Sequence, residues 1–434
     1  MKRNIILQGD ALSALRTLPD ESVDMCMTSP PYWALRDYGT APLIWDGDPQ
    51  CQHEWKGTHA KMHCGRGDCQ KGAFYSDQQT IPDRRIEYAL CANCGAWKGS
   101  LGLEPTPELY IKHLCDIFDQ VKRVLVPYGS CWVNLGDCYG GHFGEPNGPK
   151  LSQGRNAEYA AAARVKERLS AKSLVQIPAR FQIEMGNRGW ILRNEIIWHK
   201  PNCMPSSAKD RFTIDFEKVF FFTKSRRYYF NTQYEPLAEA SWTRKEYGVR
   251  SNRYQYRTQG GLYLERMDGR FYNAERGRIK RSVWRVPPRP FSEAHFATYP
   301  EELCETPIDA GCPKDVCTEC GKAREIIWAK TLGIQQSDRV AYKETKKAGK
   351  ILAEVNTAPR ADQIEKFREA GFTDCGCNAG FRPGVVLDPF FGAGTTGLVA
   401  LKQDKDFVGI ELNPEYVEMA VRRLDPFMPV LLVE

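Results

Sequence analysis

The sequence contains no long hydrophobic run. No apolar stretch approaches the about 20 residues that a membrane-spanning helix needs. The first residues, Met1 to Asn4, lead directly into a short strand-like run without the apolar core of a signal peptide. These absences argue against a membrane protein and a secreted protein, and they predict a cytoplasmic location in a reducing compartment.

The sequence also lacks the motifs of several common enzyme classes. The glycine-rich segment at 392–394 does not read GxGxxG, which argues against a nicotinamide dehydrogenase, and no Walker Gly-Lys-Ser/Thr follows it. A zinc deaminase needs His-x-Glu and Pro-Cys-x-x-Cys. Here Glu54 directly follows His53, and no proline precedes Cys91, which excludes that class.

Net positive charge is small overall but concentrated in one segment. The whole chain carries +6, whereas residues 234–290 hold thirteen Lys and Arg against six Asp and Glu. Nine aromatic residues lie in the same segment, among them Trp242, Tyr254 and Trp284. Interleaved cations and aromatic rings suit a polyanion with exposed bases, so the segment predicts contact with nucleic acid.

The segment TSPPYW follows a hydrophobic, strand-like run at 23–27. The adjacent prolines Pro30 and Pro31 have no N–H, so the carbonyls beside them can only accept hydrogen bonds. Ser29 adds a hydroxyl, and Tyr32 adds a flat ring on which a base can stack. These groups suit a site that holds the amino group of a nucleobase. A simple strand-ending turn is the alternative for the motif taken alone.

A second informative segment lies near the C-terminus, where Val385 to Thr396 reads VVLDPFFGAGTT. A buried strand ending in Asp388 is followed by a glycine loop and an apolar helix, which lets backbone approach a ligand closely. A second strand ends in Glu411, about 20 residues on, where such folds often hold a ribose diol.

With these motifs in this order, the chain resembles the β-class DNA amino-methyltransferases. The resemblance covers most of the sequence and implies an α/β fold: the class I S-adenosylmethionine-dependent methyltransferase fold, which is Rossmann-like. Its motif order is circularly permuted, because the catalytic motif near residue 30 precedes the cofactor loop near residue 390. It further implies S-adenosyl-L-methionine as cofactor and double-stranded DNA as substrate.

The resemblance assigns roles to individual residues. It implies that Ser29, Pro30, Pro31 and Tyr32 are catalytic: Ser29 Oγ and the Pro30 carbonyl accept the amino hydrogens, and Tyr32 stacks on the extruded base. The residues that it implies at the cofactor are Asp10, His295, Phe296, Thr298, Asp388, Phe390, Gly392, Gly394, Thr395, Thr396, Glu411 and Asn413. Asp10 would hold the adenine, and 295–303 would touch the methionine half.

The serine at the head of the motif favours cytosine N4 as the methylated atom, while adenine N6 stays open. A zinc-dependent DNA-binding protein with an inactive methyltransferase fold is a second hypothesis, against which the joint presence of Ser29, Asp388 and Glu411 argues. Methylation of RNA rather than DNA is a third hypothesis, and the motif does not exclude it.

The sixteen cysteines include two groups with metal-ligand spacing. Zinc sites commonly use pairs of cysteines with about two residues between them. Because disulfides are rare in a reducing compartment, metal ligation is the favoured reading of such pairs here. The predicted structural zinc ligands are Cys51, His53, Cys91 and Cys94 in one group, and Cys317, Cys320, Cys375 and Cys377 in the other. Cys64 and Cys69 could replace two ligands of the first group.

The predicted organisation is one methyltransferase domain with small zinc-binding insertions. Its segments are 1–45 (catalytic motif), 46–98 (zinc insertion), 99–235 (core), 236–288 (target recognition), 289–311 (cofactor-site segment), 312–380 (second zinc insertion) and 381–434 (cofactor binding). We expect nucleoid association, no membrane partner, and as further partners a second copy in a homodimer and a cognate restriction endonuclease.

Overall fold

The computed structural model describes residues 1–34, 40–61, 85–140, 172–206, 208–236, 278–289, 299–335, 362–428 and 431–433. The chain forms two compact units. The larger comprises Met1–Asn231, Ser282–Thr318 and Phe381–Glu434. The smaller comprises Thr232–Arg281 and Glu319–Gly380.

A nine-stranded sheet forms the centre of the larger unit. Its strands are β1 (Ile5–Gln8), β2 (Val23–Thr28), β7 (Leu125–Leu135), β8 (Ile191–His199), β9 (Phe216–Thr223), β12 (Val283–Arg285), β17 (Val385–Asp388), β18 (Asp406–Glu411) and β19 (Leu431–Val433). They lie in the order β12-β8-β9-β7-β2-β17-β18-β1-β19. Every described pairing in this sheet is parallel except the two made by β9.

Helices cover both faces of the sheet. They are α1 (Ala11–Thr17), α2 (Pro107–Val124), α3 (Ile177–Asn187), α4 (Glu301–Gly311), α5 (Thr395–Lys402) and α6 (Pro414–Leu424). The first three pack in one buried cluster and the last three in another, on the opposite face. Because both faces are covered, β2 and β17 are buried along their whole length, as parallel strands require.

Local sequence signals explain where the main helices begin. Thr106 caps α2 by accepting a 3.1 Å hydrogen bond from the Leu109 N–H, and Pro107 occupies the first helical position. Asp10 caps α1 in the same way through the Ser13 N–H at 2.8 Å. Polar caps therefore fix where these two helices start.

The strand order reverses between β17 and β2. From β17 the chain continues to β18 on one side, and from β2 it continues to β7 on the other. In an open α/β sheet, ligands bind outside the carboxyl ends of the strands at such a reversal. Thr28 and Asp388 are the last residues of these two strands. The site is therefore expected beside them.

Within the described residues, four smaller sheets are present besides the main one. The larger unit holds the strands β3 (Leu43–Trp45), β4 (Trp55–Lys61), β5 (Arg85–Cys91) and β6 (Trp97–Gly99) in the order β3-β6-β5-β4, and the pair β13 (Asp315–Cys317) and β16 (Phe381–Pro383). The smaller unit holds the pairs β10 (Tyr234–Glu235) with β11 (Arg278–Ile279), and β14 (Ile326–Gln335) with β15 (Asp362–Phe372).

This architecture confirms the predicted fold class. The sheet is mostly parallel with one reversed strand, helices lie on both faces, and the strand before the catalytic motif precedes the cofactor strand in the chain. Among helices of the described residues, none combines the length and apolar character needed to cross a bilayer.

Candidate active site

The TSPPYW motif forms a loop at the carboxyl end of β2, and hydrogen bonds with Glu104 and Tyr110 fix its position. Trp33 is buried and donates its indole N–H to the Glu104 carbonyl at 2.9 Å. The Tyr110 hydroxyl donates to the Pro31 carbonyl at 2.7 Å. No donor of the described residues hydrogen-bonds the Pro30 carbonyl. Among the described residues, the Pro31 carbonyl therefore has a donor in Tyr110, whereas the Pro30 carbonyl has none.

A polar cluster adjoins Ser29 and Tyr32. The Tyr32 hydroxyl lies 2.8 Å from Glu217 Oε2 and 3.0 Å from Asn134 Oδ1. Ser29 Oγ lies 3.4 Å from Asn134 Oδ1. Lys200 forms an ion pair with Glu217. These side chains come from β7, from β9 and from the residue after β8, so three neighbouring strands complete the wall beside the motif.

We expect Gly136→Ala to lower turnover by about 100-fold, because an ångström of misplacement at a reacting group has that order of effect. A Cβ at Gly136 would lie 2.5 Å from Cε2 of the Tyr32 ring, so the ring must move. Gly186→Ala is the control, since a Cβ there meets no atom within 4 Å. Steady-state methyl transfer measures both, and wild-type turnover by Gly136→Ala would contradict the placement of Tyr32.

Three acidic residues lie at the carboxyl ends of neighbouring strands. Asp388 ends β17, Glu411 ends β18, and Asp10 follows β1. The strands are adjacent in the order β17-β18-β1. The three carboxylates therefore follow one edge of the sheet, next to the catalytic loop on β2.

The Asp388 carboxylate is buried and connects the two loops. One oxygen accepts from Thr28 Oγ1 at 2.6 Å and from the Phe390 N–H at 3.0 Å. The other accepts from Thr396 Oγ1 at 2.6 Å and from the Tyr299 hydroxyl at 3.1 Å. Burial raises the pKa of Asp388, although these hydrogen bonds lower it in part. Burial, followed by the charge of Asp388, raises the pKa of Tyr299 well above its usual value.

Glu411 supports the glycine loop from the neighbouring strand. Its Oε2 accepts the Gly392 N–H at 2.7 Å, and its Oε1 accepts the Asn413 N–H at 2.8 Å. Burial raises the pKa of the Glu411 carboxyl. Gly392 has φ +50°, and a Cβ there would meet no atom within 4 Å, so the loop borders open space. A bound cofactor could therefore approach the backbone of Gly392 closely.

Most of the other cofactor residues predicted from the sequence lie around this loop. Gly394 has φ +78° and is the N-cap residue directly before α5. Thr395 and Thr396 are buried, and the Thr395 hydroxyl accepts from Arg423 at 2.9 Å. Phe390 is only half-buried. His295, Phe296 and Thr298 lie outside the described residues.

The four predicted ligands of the first metal group come together. Cys51 Sγ lies 3.8 Å from Cys91 Sγ, and Cys94 Sγ lies 3.4 Å from His53 Nδ1. All four ligand atoms lie within 4.8 Å of one another. A tetrahedral zinc with bonds of about 2.3 Å to sulfur and about 2.0 Å to nitrogen requires separations of about 3.5–3.8 Å. The donor set therefore fits zinc in number and chemistry, and the Cys51–Cys91 and Cys94–His53 distances match the required separations.

Three of the four predicted ligands of the second group belong to the smaller unit and come together there. The sulfur atoms of Cys320, Cys375 and Cys377 lie within 4.8 Å of one another, whereas Cys317 belongs to the larger unit. Gly376, between Cys375 and Cys377, has φ +78°, which suits the tight turn that two closely spaced ligands require. Cys64 and Cys69, the alternative ligands of the first group, lie outside the described part of the chain.

A series of polar contacts, buried at His113 and Glu104, joins the sheet that bears the first metal group to the segment that supports the catalytic loop. Asp46, directly after β3, lies 3.2 Å from Nε2 of the buried His113, whose Nδ1 lies 3.1 Å from Glu104 Oε1. Glu104 Oε2 in turn accepts the Gly102 N–H at 2.8 Å. Burial raises the pKa of Glu104, although its bonds with His113 offset part of the shift.

Among the residues of this site, Asn134, Glu217 and Tyr299 received no individual role from the sequence motifs. Asn134 and Glu217 lie within apolar strand sequences, and Tyr299 lies in the predicted cofactor segment without an assigned role. The polar character of Asn134 and Glu217 inside otherwise apolar runs is the signal that could have indicated them. For Tyr299, the contact with Asp388 depends on the fold.

The sheet order, the two adjacent loops and the row of acids define a class I S-adenosylmethionine-dependent methyltransferase. A family model described as DNA methylase, for N6 and N4 methyltransferases, matches residues 23–318 and 380–422. The chain belongs to this family of DNA methyltransferases that act on amino groups.

The chain is similar to several known relatives along most of its length. It is 30% identical over 422 residues to the type II methyltransferase M.Cfr9I of Citrobacter freundii, covering 96% of this chain and 87% of that protein. It is 26% identical over 424 residues to M.SmaI of Serratia marcescens, covering 96% and 90%. A stretch of 48 residues is 54% identical to the DNA adenine methyltransferase YhdJ of Escherichia coli (strain K12), covering 11% and 16%.

Among solved structures, a similar chain is the PvuII DNA methyltransferase (cytosine-N4-specific). The TM-score is 0.44 at 15% sequence identity, with 98% of this chain and 86% of that chain covered.

Proposed function

We propose that the protein methylates the exocyclic amino group of a flipped base in double-stranded DNA, with cytosine N4 as the target atom. The observation that carries the proposal is the 2.6 Å hydrogen bond between Thr28 and Asp388. It joins the residue before the catalytic motif to the residue before the glycine loop. A base held at Ser29 and a cofactor held at Gly392 would therefore lie side by side.

The catalytic loop supplies acceptors rather than a nucleophile. The amino nitrogen of a base is a weak nucleophile because its lone pair is delocalised into the ring. Ser29 Oγ and the Pro30 carbonyl accept its two hydrogens, which favours the tetrahedral geometry of attack, and Tyr32 stacks on the ring. The rate increase then comes from positioning and charge complementarity.

The residues around Gly392 fit S-adenosylmethionine. When bound, this cofactor supplies an electrophilic methyl group on a sulfonium. In this proposal Glu411 accepts hydrogen bonds from a ribose diol, and Asp10 accepts one from an adenine; their positions at the ends of neighbouring strands support these roles. The buried Asp388 organises the loop through Thr28 and Thr396 rather than facing open space. His295, Phe296 and Thr298 complete the proposed set.

The choice of cytosine rests on Ser29, since the serine form of the motif goes with N4 methylation in the family that this chain resembles. Relatives named as type II methyltransferases support a role in restriction–modification. We therefore propose a cognate restriction endonuclease as a functional partner, residues 236–288 as the target-recognition region, and a nucleoid location. A homodimer stays a prediction that light scattering would test.

We propose further that each cysteine group holds a structural zinc ion. Metal analysis of purified protein should give about two zinc ions per chain, and Cys94→Ser should reduce this to about one, because a tetrahedral site loses affinity with a ligand. Cys203→Ser is the control, since Cys203 belongs to neither group. Equal zinc content in wild type and Cys94→Ser would contradict the first site.

Long-read sequencing of DNA from cells that express the protein tests the proposed function and gives the recognition site. We expect N4-methylcytosine at one position of a short sequence. N6-methyladenine would replace the cytosine assignment by adenine. Unmodified DNA, together with tight DNA binding by the purified protein, would favour an inactive DNA-binding protein, and label transfer only to RNA would favour an RNA substrate.

A further inference from the structure

Three polar side chains, those of Asn134, Glu217 and Lys200, lead away from Ser29 in an unbroken series of contacts. Ser29 Oγ lies 3.4 Å from Asn134 Oδ1. Asn134 Nδ2 lies 3.2 Å from Glu217 Oε2, and Glu217 is paired with Lys200. Asn134 is almost fully buried, and the side chains of Glu217 and Lys200 are each 20% exposed. The motif resemblance gives no role to the last three residues.

The series matters because a serine hydroxyl carries one hydrogen and two lone pairs. To accept a hydrogen bond from a base amino group, Ser29 must direct its own hydrogen elsewhere. Two acceptors of the described residues lie within reach, Asn134 Oδ1 at 3.4 Å and the Tyr32 hydroxyl at 3.5 Å. The Ser29 lone pairs stay free for the base only if one of these acceptors takes the hydrogen.

The orientation of the Asn134 amide is fixed by its other neighbours. Its Nδ2 donates to Glu217 Oε2 and to the Lys218 carbonyl, each at 3.2 Å. A rotated amide would place oxygen against these two oxygens and aim its NH₂ group at Ser29. The carboxylate of Glu217 thus keeps Asn134 Oδ1 directed at the serine.

Glu217 also controls the single hydroxyl hydrogen of Tyr32. That hydroxyl lies 2.8 Å from Glu217 Oε2 and 3.0 Å from Asn134 Oδ1. When Glu217 accepts the hydrogen, Asn134 Oδ1 remains for Ser29. Lys200 pairs with the other carboxylate oxygen, Oε1, so Oε2 is left for Tyr32 and Asn134.

We infer that Glu217 is a positioning residue for methyl transfer, which acts through Asn134 and Tyr32 to keep the Ser29 lone pairs available to the amino group. This inference rests on the proposed function. Lys200 is the second positioning residue. Because it pairs with Glu217 Oε1, it determines that Oε2 is the oxygen directed at Tyr32 and Asn134.

The variant Glu217→Gln tests the inference. With Lys200 present, the Gln oxygen is drawn to the ammonium, and its NH₂ group then faces Tyr32 and the Asn134 amide nitrogen. Two donors cannot pair, so Asn134 rotates and donates to Ser29. We expect kcat to fall by about 100-fold, the order seen when one preorganised polar group is lost from an active site, with unchanged S-adenosylmethionine affinity.

The double variant Lys200→Met/Glu217→Gln separates hydrogen-bond direction from simple loss of charge. Without the ammonium, the Gln oxygen can turn to Tyr32 and Asn134 and restore their orientation. We expect it to be about 10-fold faster than Glu217→Gln. Glu195→Gln is the matched control, because Glu195 forms a comparable 2.5 Å ion pair with Lys218 on the same sheet. Lys200→Met alone reports any separate role of the lysine.

Methyl transfer to DNA and calorimetric titration with S-adenosylmethionine are measured for each protein. A slow Glu217→Gln variant with normal cofactor affinity, rescued in the double variant, supports the inference. Three results would overturn the positioning role of Glu217 and leave the proposed function standing. They are a wild-type kcat in Glu217→Gln, a parallel loss of cofactor binding in that variant, and a double variant no faster than the single one. Absence of transfer by the wild-type protein overturns the proposed function as well.

Discussion

Ser29→Ala is expected to lower kcat for methyl transfer by about 1,000-fold while leaving the dissociation constant for S-adenosylmethionine unchanged. The substitution removes the hydroxyl acceptor for the amino group, an interaction that counts mainly in the transition state. The cofactor loop does not depend on that hydroxyl, because Asp388 is held by Thr28 and its own neighbours.

Label transfer from S-adenosylmethionine to DNA and calorimetric cofactor titration measure the two quantities. Ser22→Ala is the control, since Ser22 lies just before the opposite end of β2, and its hydroxyl bonds only the Pro19 carbonyl among the described residues. Near wild-type transfer by Ser29→Ala, or loss of cofactor binding together with activity, would contradict the assigned role.

Asp388→Ala is expected to have the largest effect on stability. It leaves four hydrogen-bond donors around a buried position without their acceptor: the hydroxyls of Thr28, Thr396 and Tyr299, and the Phe390 N–H. Each buried unsatisfied group costs about 1–3 kcal/mol. We expect the free energy of unfolding to fall by about 3 kcal/mol or more, and cofactor affinity to fall with it because the glycine loop loses its anchor.

Urea unfolding measures the loss, with two comparison variants. Thr28→Val removes one donor and nearly conserves volume, so it should cost about 1 kcal/mol. Asp425→Ala changes an exposed acid at the end of α6 and should cost little. An Asp388→Ala protein as stable as Thr28→Val would show that the carboxylate does not organise the two loops.

The sequence pattern predicts the residues whose chemistry is local. Ser29 to Tyr32 and Asp388 to Thr396 each follow a short apolar run that ends in a turn, so a strand followed by a functional loop could be predicted for both. Cysteine spacing similarly predicts two ligand groups, and the structure brings together the first group and the three members of the second group that lie in the smaller unit. In these cases the information is contained within a few consecutive residues.

Interactions across the sheet could not be predicted in this way. Asn134 and Glu217 contact the motif only because β7 and β9 are neighbours, and the reversed direction of β9 brings the start of that strand to the active-site edge. A polar residue in the runs CWVNLGD and FEKVFFFT is unusual, but neither run shows that the two residues meet at the motif. The link from Asp46 through His113 to Glu104 likewise depends on how α2 packs against the small sheet.

In the proposed function, Ser29 and its neighbours direct a methyl group to an exocyclic amino nitrogen of a base in duplex DNA. The most direct test is to incubate the protein with methyl-labelled S-adenosylmethionine and duplex DNA, digest the DNA to nucleosides and identify the labelled one by mass spectrometry. We predict N4-methyldeoxycytidine, with the signal lost in Ser29→Ala. A label on a ring carbon, or no labelled nucleoside at all, would contradict the transfer to an amino nitrogen at Ser29.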